Sequence, residues 1–360
     1  MSERPERNVR GRGAQIEPAN RFLATHREDD WEQLAADDEL LADDRRLPTE
    51  FLPDASQSIL SENDSPDVGF RYSINPYRGC EHGCAYCYAR PGHEYLGFNA
   101  GLDFETKVMV KHDAPALLRK ALLRPKWRGE AIAISGVTDC YQPAERRYEL
   151  TRGCLQVAIE FRQAVSLVTK NALVLRDLDM LRELAALNLV HVYLSVTTLD
   201  AGLAGRLEPR TSRPAARLEA VRRLAAAGVP VGVLTAPVIP AVNDSELPAL
   251  LQAAAEAGAQ TAGYVLLRLP LAVRPIFEDW LARNLPDRAE RVLARVRDTR
   301  GGRLNDAEFG RRMRGQGEYA DGIHRTFEVF ARKFGLDRRL PPHDTALFRR
   351  PDAAGQKRLF

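Results

Sequence analysis

Beyond Tyr72, short runs rich in Val, Ile and Leu alternate with amphipathic stretches of helical length. This alternation limits the fold more than any other feature of the 360 residues. The apolar runs fall at 131–135, 165–168, 190–196, 231–234 and 264–267. Each is followed by a helical pattern, at 146–162, 176–187, 213–227, 245–256 and 276–285. Strands covered on both faces read as continuous apolar runs, so the pattern predicts βα units around a parallel sheet. Helix stops agree: in Gly228-Val229-Pro230 the glycine closes one helix before the next strand begins. One more strand before Cys80 brings the number of units to about six. Six units fit an α/β fold that is either a partial (β/α) barrel or a doubly wound sheet. In both, functional groups gather at the C-terminal ends of the strands.

The flanks differ in character. Residues 1–55 are polar and of mixed charge, with acidic runs at Asp37-Asp38-Glu39 and Asp43-Asp44. They are expected to form a largely disordered or loosely draped arm that Phe22 and Trp31 could anchor. Residues 56–286 make the core. Residues 287–339 read as a basic helical extension, with Arg291, Val292, Arg295 and Val296 at helical spacing and a break at Gly301-Gly302. Residues 340–360 read as an extended tail. From residue 268 to the end there are 21 Lys+Arg against 13 Asp+Glu, a local +8 that leaves −5 for the rest of a +3 chain. Such a basic third suits a polyanionic partner; solvated arginine-rich helices explain it equally well.

Three of the five cysteines lie within eight residues, in Gly79-Cys80-Glu81-His82-Gly83-Cys84-Ala85-Tyr86-Cys87-Tyr88. Residues 1–7 lead into no apolar segment and charged residues interrupt every apolar stretch, so a cytoplasmic location away from membranes is expected. In that reducing setting, clustered thiols indicate a metal or cluster site rather than a disulfide scaffold. A [4Fe–4S] cubane takes four ligands, usually thiolates. Three cysteines spaced C-x3-C-x2-C on the loop after the first strand leave one iron open to a co-substrate. Gly79 and Gly83 let the backbone wrap closely there. The competing reading is a Cys3His zinc site made of Cys80, His82, Cys84 and Cys87. Ligands two residues apart on a tight loop are awkward for it.

The pattern C-x3-C-x-aromatic-C after a first strand, followed by repeated βα units, resembles the radical S-adenosylmethionine (radical SAM) superfamily over residues 72–285. The resemblance implies a partial (β/α)6 barrel with a helical C-terminal extension, and a [4Fe–4S] cluster on Cys80, Cys84 and Cys87. It also implies S-adenosyl-L-methionine chelated to the open iron through its amino and carboxylate groups. Reduction by an external flavodoxin- or ferredoxin-like donor would then yield a 5′-deoxyadenosyl radical that abstracts hydrogen from substrate. The cofactor carries that chemistry, while the protein binds, orients and excludes water. Tyr86 matches the family position near the adenine.

Within the superfamily, Tyr72-Ser-Ile-Asn75-Pro76-Tyr-Arg-Gly-Cys80, Ser135-Gly-Val-Thr138-Asp139-Cys-Tyr-Gln142-Pro143 and Val168-Thr169-Lys170 are similar to the spore photoproduct lyase-like, DNA repair photolyase-type branch. That likeness implies S-adenosylmethionine contacts from Thr138, Lys170 and Ser195: hydroxyls suit the ribose or methionine groups, and an ammonium suits a carboxylate. The Gly-Gly-Glu signature found elsewhere in the superfamily is replaced by residues 135–138. In the lyases a cysteine after the second strand returns hydrogen to the product radical. Here Gly136 takes that place and Cys140 follows four residues later, so Cys140 is a candidate donor, with Tyr77 and Tyr141 as other relays. The plainer reading is that Cys140 and Cys154 are buried thiols. Two cysteines outside the motif are too few to hold a second cubane.

Arg311-Arg312-x-Arg314 with Tyr319 combines phosphate-neutralising charge with an aromatic ring. The last five residues, Gln356-Lys-Arg-Leu359-Phe360, resemble the peptide by which bacterial replication and repair proteins dock on the sliding clamp. The expected protein is a radical SAM enzyme acting on nucleic acid, with DNA and the sliding clamp (through Gln356, Leu359 and Phe360) as partners. The alternatives are a radical SAM modifier of RNA, protein or a small metabolite, and a zinc-stabilised nucleic-acid-binding module without catalysis.

Overall fold

A computed structural model describes residues 9–24 and 47–351. Its strands are β1 (Glu50–Pro53), β2 (Leu60–Glu62), β3 (Tyr72–Ile74), β4 (Tyr77–Arg78), β5 (Lys107–Val110), β6 (Ile132–Ile134), β7 (Val165–Thr169), β8 (Val190–Ser195), β9 (Val231–Val238) and β10 (Thr261–Leu266). The main sheet runs β10-β9-β8-β7-β6-β3-β2. Every neighbouring pair from β3 to β10 is parallel, and β2 adds an antiparallel edge. The six parallel strands follow in chain order without the reversal that defines a doubly wound sheet. The arrangement is the open, partial (β/α)6 type, with β10 and β2 at its edges.

The expected βα units are all present, with helices at Leu150–Phe161, Leu178–Ala185, Pro214–Ala226, Leu247–Glu256 and Val273–Asn284. Ile134, Leu167, Val192, Leu194 and Val233 are fully buried between sheet and helices. Each such side chain contributes about 1.5–3 kcal/mol. The stretch read as one helix over 146–162 is two, Glu145–Tyr148 and Leu150–Phe161, split by Glu149 at φ 50°. The Glu145 carboxylate causes the break: it accepts N–H bonds from Thr151 and Arg152, capping the second helix, and the Tyr77 hydroxyl donates to it.

Two features differ from expectation. A second sheet, β1-β5-β4, stands beside the cysteine loop; its strands of two to four residues are too short to show a period. Residues 9–24 and 47–55 belong to the arm expected to be largely disordered or loosely draped. Residues 12–14 and 20 are buried against the core, while Phe22, an expected anchor, is more than half exposed. Arg12 and Ala14 are buried, and β1 pairs in register with β5. Trp31, the second expected anchor, lies outside the described residues. At the other end, helices Ala289–Asp298 and Glu318–Lys333 flank the break at Gly301-Gly302. The extended tail crosses the N-terminal ends of the strands. Asp344 N–H donates to Asn188 O, Arg349 N–H donates to Phe161 O, and Phe348 covers Gly129. No described helix is long and apolar enough to cross a membrane.

Candidate active site

The cysteine loop follows β4, at the C-terminal side of β3. It has no regular structure, so its shape rests on side chains that reach it from elsewhere. Gly79 and Gly83 take φ of 81° and 66°, a region closed to most side chains. Cys80 N–H donates to Phe104 O (2.9 Å) and Ala85 N–H to Leu207 O (3.0 Å). Gln142 bridges the loop, accepting from Glu81 N–H and donating to Gly79 O. Arg90, fully buried, donates to Cys84 O from both Nε (3.1 Å) and Nη2 (2.9 Å), and pairs with Glu105. The His82 ring sits between Asp139 (Nδ1 to Oδ2, 3.3 Å) and Asn171 (Nε2 to Nδ2, 3.4 Å). Both its nitrogens thus face hydrogen-bond partners.

All five cysteines are free thiols. Burial, reinforced for Cys80 and Cys84 by neighbouring negative charges that include the other thiols, pushes the three loop thiols up; for Cys87, burial outweighs the nearby Arg90. A positive centre among them would let all three ionise. Three thiolate donors on a loop with glycine turns fit an iron–sulfur cluster. Among the described residues no three His, Cys, Asp or Glu side chains converge as ligands of a single metal ion.

Beside the loop, Lys170 at the end of β7 and Ser195 at the end of β8 meet directly, Nζ to Oγ. Lys170 Nζ also donates to Ala236 O (3.1 Å) and lies 5.8 Å from the centre of the Tyr86 ring. Beneath them is a carboxylate the sequence reading did not single out. Glu208 is fully buried and accepts from Thr197 Oγ1 (2.6 Å), the Tyr86 hydroxyl and Arg217 Nη2, with Lys170 Nζ at 3.7 Å. Burial alone would raise its pKa; Arg217, Lys170, Thr197 and Tyr86 outweigh burial and hold it at about 2. Its only sequence signal is the polar loop Glu208-Pro-Arg-Thr-Ser212 after the β8 unit. Nothing local marks Arg217, which lies in a helix and donates to Ser195 O and Ser212 O.

Tyr86, Lys170 and Ser195 are thus brought together. Thr138 does not join them. Its hydroxyl donates to Tyr77 O (2.7 Å), and it lines a cavity of about 210 Å³ on the far side of the loop with Asn75, Gly79 and His93. Asp139, beside it, links the two sides: it accepts from Lys170 N–H and Thr169 Oγ1. Burial would raise this carboxyl, but His82 and these donors keep it below the usual range. Cys140 is fully buried behind Ser135, whose Oγ accepts its N–H. Tyr77 and Tyr141 are equally buried, bonded to Glu145 and Asp177. The exposed hydroxyl here is that of Tyr88, which donates to Gly136 O (2.9 Å).

A family model for the radical SAM superfamily matches residues 74–254, from the end of β3 into the helix after β9. The chain belongs to the radical SAM superfamily. Radical SAM enzymes use a [4Fe–4S] cluster and S-adenosylmethionine, and Cys80, Cys84 and Cys87 are the residues here that fit the cluster. An uncharacterized protein of Mycobacterium tuberculosis is 42% identical over 224 residues, 62% of this chain and 66% of its own length. Another, of Methanocaldococcus jannaschii, is 30% identical over 184 residues, 51% of this chain and 66% of its own. The matched segment is thus just under two thirds of either relative. A substituted spore photoproduct lyase with bound AdoMet and dinucleoside spore photoproduct shares the fold, with TM-score 0.58 and 17% identity over 81% of this chain and 84% of that one. Its substrate is a property of that protein.

Proposed function

We propose that this radical SAM chain generates a 5′-deoxyadenosyl radical beside Tyr86, Lys170 and Ser195 and uses it on a nucleic-acid substrate. The observation that carries the first half is the convergence of Lys170, Ser195 and Tyr86 beside a three-thiol loop. When bound, the cluster would supply one-electron reductive cleavage of S-adenosylmethionine. The protein supplies the rest. Lys170 offers an ammonium to the methionine carboxylate, and Glu208 with Arg217 fixes the ammonium and the Tyr86 ring in place. The nucleic-acid half is supported by the basic rim past β10. Arg268 forms no ion pair among the described residues and its Nε is buried without a hydrogen-bond partner; its neighbour Arg312 is paired with Asp67. Tyr88 and Phe309 are more than half exposed, as stacking surfaces would be.

Anaerobic reconstitution followed by reduction with S-adenosylmethionine tests the chemistry. We expect 5′-deoxyadenosine from the wild type and none from Cys84→Ala; equal yields would contradict the assignment. An external flavodoxin- or ferredoxin-like reductant is proposed as electron source. Cys140 is fully buried, so its role as hydrogen donor requires the substrate radical to come up against the turn at Ser135. The pentapeptide 356–360 lies outside the described residues, and docking of Gln356, Leu359 and Phe360 on a sliding clamp is proposed from its sequence alone. Deleting residues 356–360 is expected to abolish clamp capture in a pull-down; undiminished capture would refute it.

A further inference from the structure

We propose that the amino-terminal segment Arg12–Ala14 is a positioning element of the cluster site, closing over the Cys80–Cys84 loop and holding its ligand geometry. The proposal rests on the assignment of Cys80, Cys84 and Cys87 as cluster ligands. Three sets of contacts carry it. First, Gly13 and Gly83 meet backbone to backbone: a Cβ on Gly13 would fall 1.7 Å from Gly83 O, and one on Gly83 would fall 2.7 Å from Glu105 Oε2. Second, the fully buried Glu105 carboxylate accepts Gly13 N–H at Oε2 (3.0 Å) and Ala14 N–H at Oε1 (2.8 Å). Its Oε1 also takes Arg90 Nη2 (2.5 Å), and Arg90 in turn donates to Cys84 O. Third, Arg12 donates to Glu105 O (2.7 Å) and to Thr49 Oγ1 (2.9 Å), whose hydroxyl donates to Glu81 Oε1 (2.8 Å).

The segment therefore reaches residues 81, 83 and 84 by separate routes. Ala14 seals the contact, fully buried against Leu102 and Ile276. Bonds from backbone N–H to a carboxylate are charge-assisted and among the stronger ones available. Lifting the segment would withdraw two N–H donors from Glu105 and so alter its hold on Arg90 and, through Arg90, on Cys84 O. At Gly83 itself, these groups add to the contacts that hold a loop without regular structure. Partners of this outer kind typically change metal retention by about 10–100-fold.

The test uses the full chain with Gly13→Ala, which adds one carbon where the neighbouring atoms are backbone and cannot yield. Gly322→Ala, whose Cβ meets nothing within 4 Å, is the control. Iron release to a chelator is followed anaerobically by the loss of cluster absorbance, and thermal unfolding is followed on the iron-free proteins. We expect Gly13→Ala to release iron about tenfold faster than wild type and control, with unfolding of the iron-free protein little changed. Release at the wild-type rate would overturn the proposal. Should Gly13→Ala fail to fold, amide exchange of residues 13–14 in the wild type decides instead. Coupling is reciprocal, so these amides must exchange more slowly in iron-loaded than in iron-free protein; equal rates would overturn it. A wild type that takes up no iron at all would instead refute the cluster assignment, and this proposal with it.

Discussion

At the scale of single residues, the site is organised by a buried ion pair that no motif announces. Glu208 and Arg217 are both fully buried, and between them they hold Tyr86, Thr197, Ser195 and Thr211. Removing one member leaves the other charge unpaired in the interior, which costs about 3–5 kcal/mol. Glu208→Ala is therefore expected to lose that much in urea unfolding of the iron-free protein; a loss below about 1 kcal/mol would show that water or another group replaces it. Lys170→Gln removes the ammonium and leaves all three cysteines in place. It is expected to bind S-adenosylmethionine about tenfold more weakly by calorimetry, with iron content unchanged. The cysteines were legible because their spacing alone specifies chemistry. Lys170 and Ser195 were legible because they end strands. Glu208 and Arg217 were not, because a buried pair is made by tertiary contact, and a Glu after a helix or an Arg within one is ordinary in sequence. Thr138 lies apart for a related reason: it falls four residues past the end of β6, where Asn75 and Tyr77 bind it into the turn.

At the scale of elements, the core strands and their helices could be read because full burial makes apolar runs continuous. The short pieces could not. The strands β1, β2, β4 and β5 are held by pairing rather than by pattern, and the amino-terminal segment by two glycines and one distant carboxylate. The tail is held by a pair of stacked histidines, and this makes it sensitive to acid. The rings of His191 and His343 lie 3.8 Å apart, with His343 Nε2 3.0 Å from Ser166 Oγ and His191 Nε2 2.8 Å from Pro341 O. Burial, with the neighbouring ring, lowers His343 to about 4; burial lowers His191 as well. A histidine depressed in the folded state stabilises it fully above its unfolded pKa, and that contribution is lost as the pH falls. The tail should therefore loosen between about pH 6.5 and 4. Protease cleavage within residues 340–351 should rise across that window in the wild type and depend less on pH in His343→Gln, where only His191 still titrates. A wild type equally resistant at pH 4.5 and 7 would contradict this.

At the scale of the whole molecule, an open parallel sheet places its strand ends, the thiol loop and the basic rim on one side. The rim gathers Arg268, Arg312 and the buried Arg300, whose guanidinium donates to Leu266 O and Leu267 O and thereby ties the end of β10 to the C-terminal extension. If this rim takes a nucleic-acid backbone, affinity for single-stranded oligothymidylate must fall with salt. The slope in a log–log plot is expected to be about −0.7 per phosphate contacted, and shallower in Arg268→Gln. A salt-independent affinity would rule out phosphate contacts.

The central claim is that Cys80, Cys84 and Cys87 would hold the cluster and that Lys170, Ser195 and Tyr86, which meet beside them, would bind S-adenosylmethionine. Low-temperature electron paramagnetic resonance of the reduced, reconstituted protein addresses it directly, recorded before and after S-adenosylmethionine is added. The account predicts a reduced [4Fe–4S] signal that changes shape on addition in the wild type and is missing in Cys84→Ala. A wild-type signal that the co-substrate leaves unaltered, or one that survives in Cys84→Ala, would contradict it.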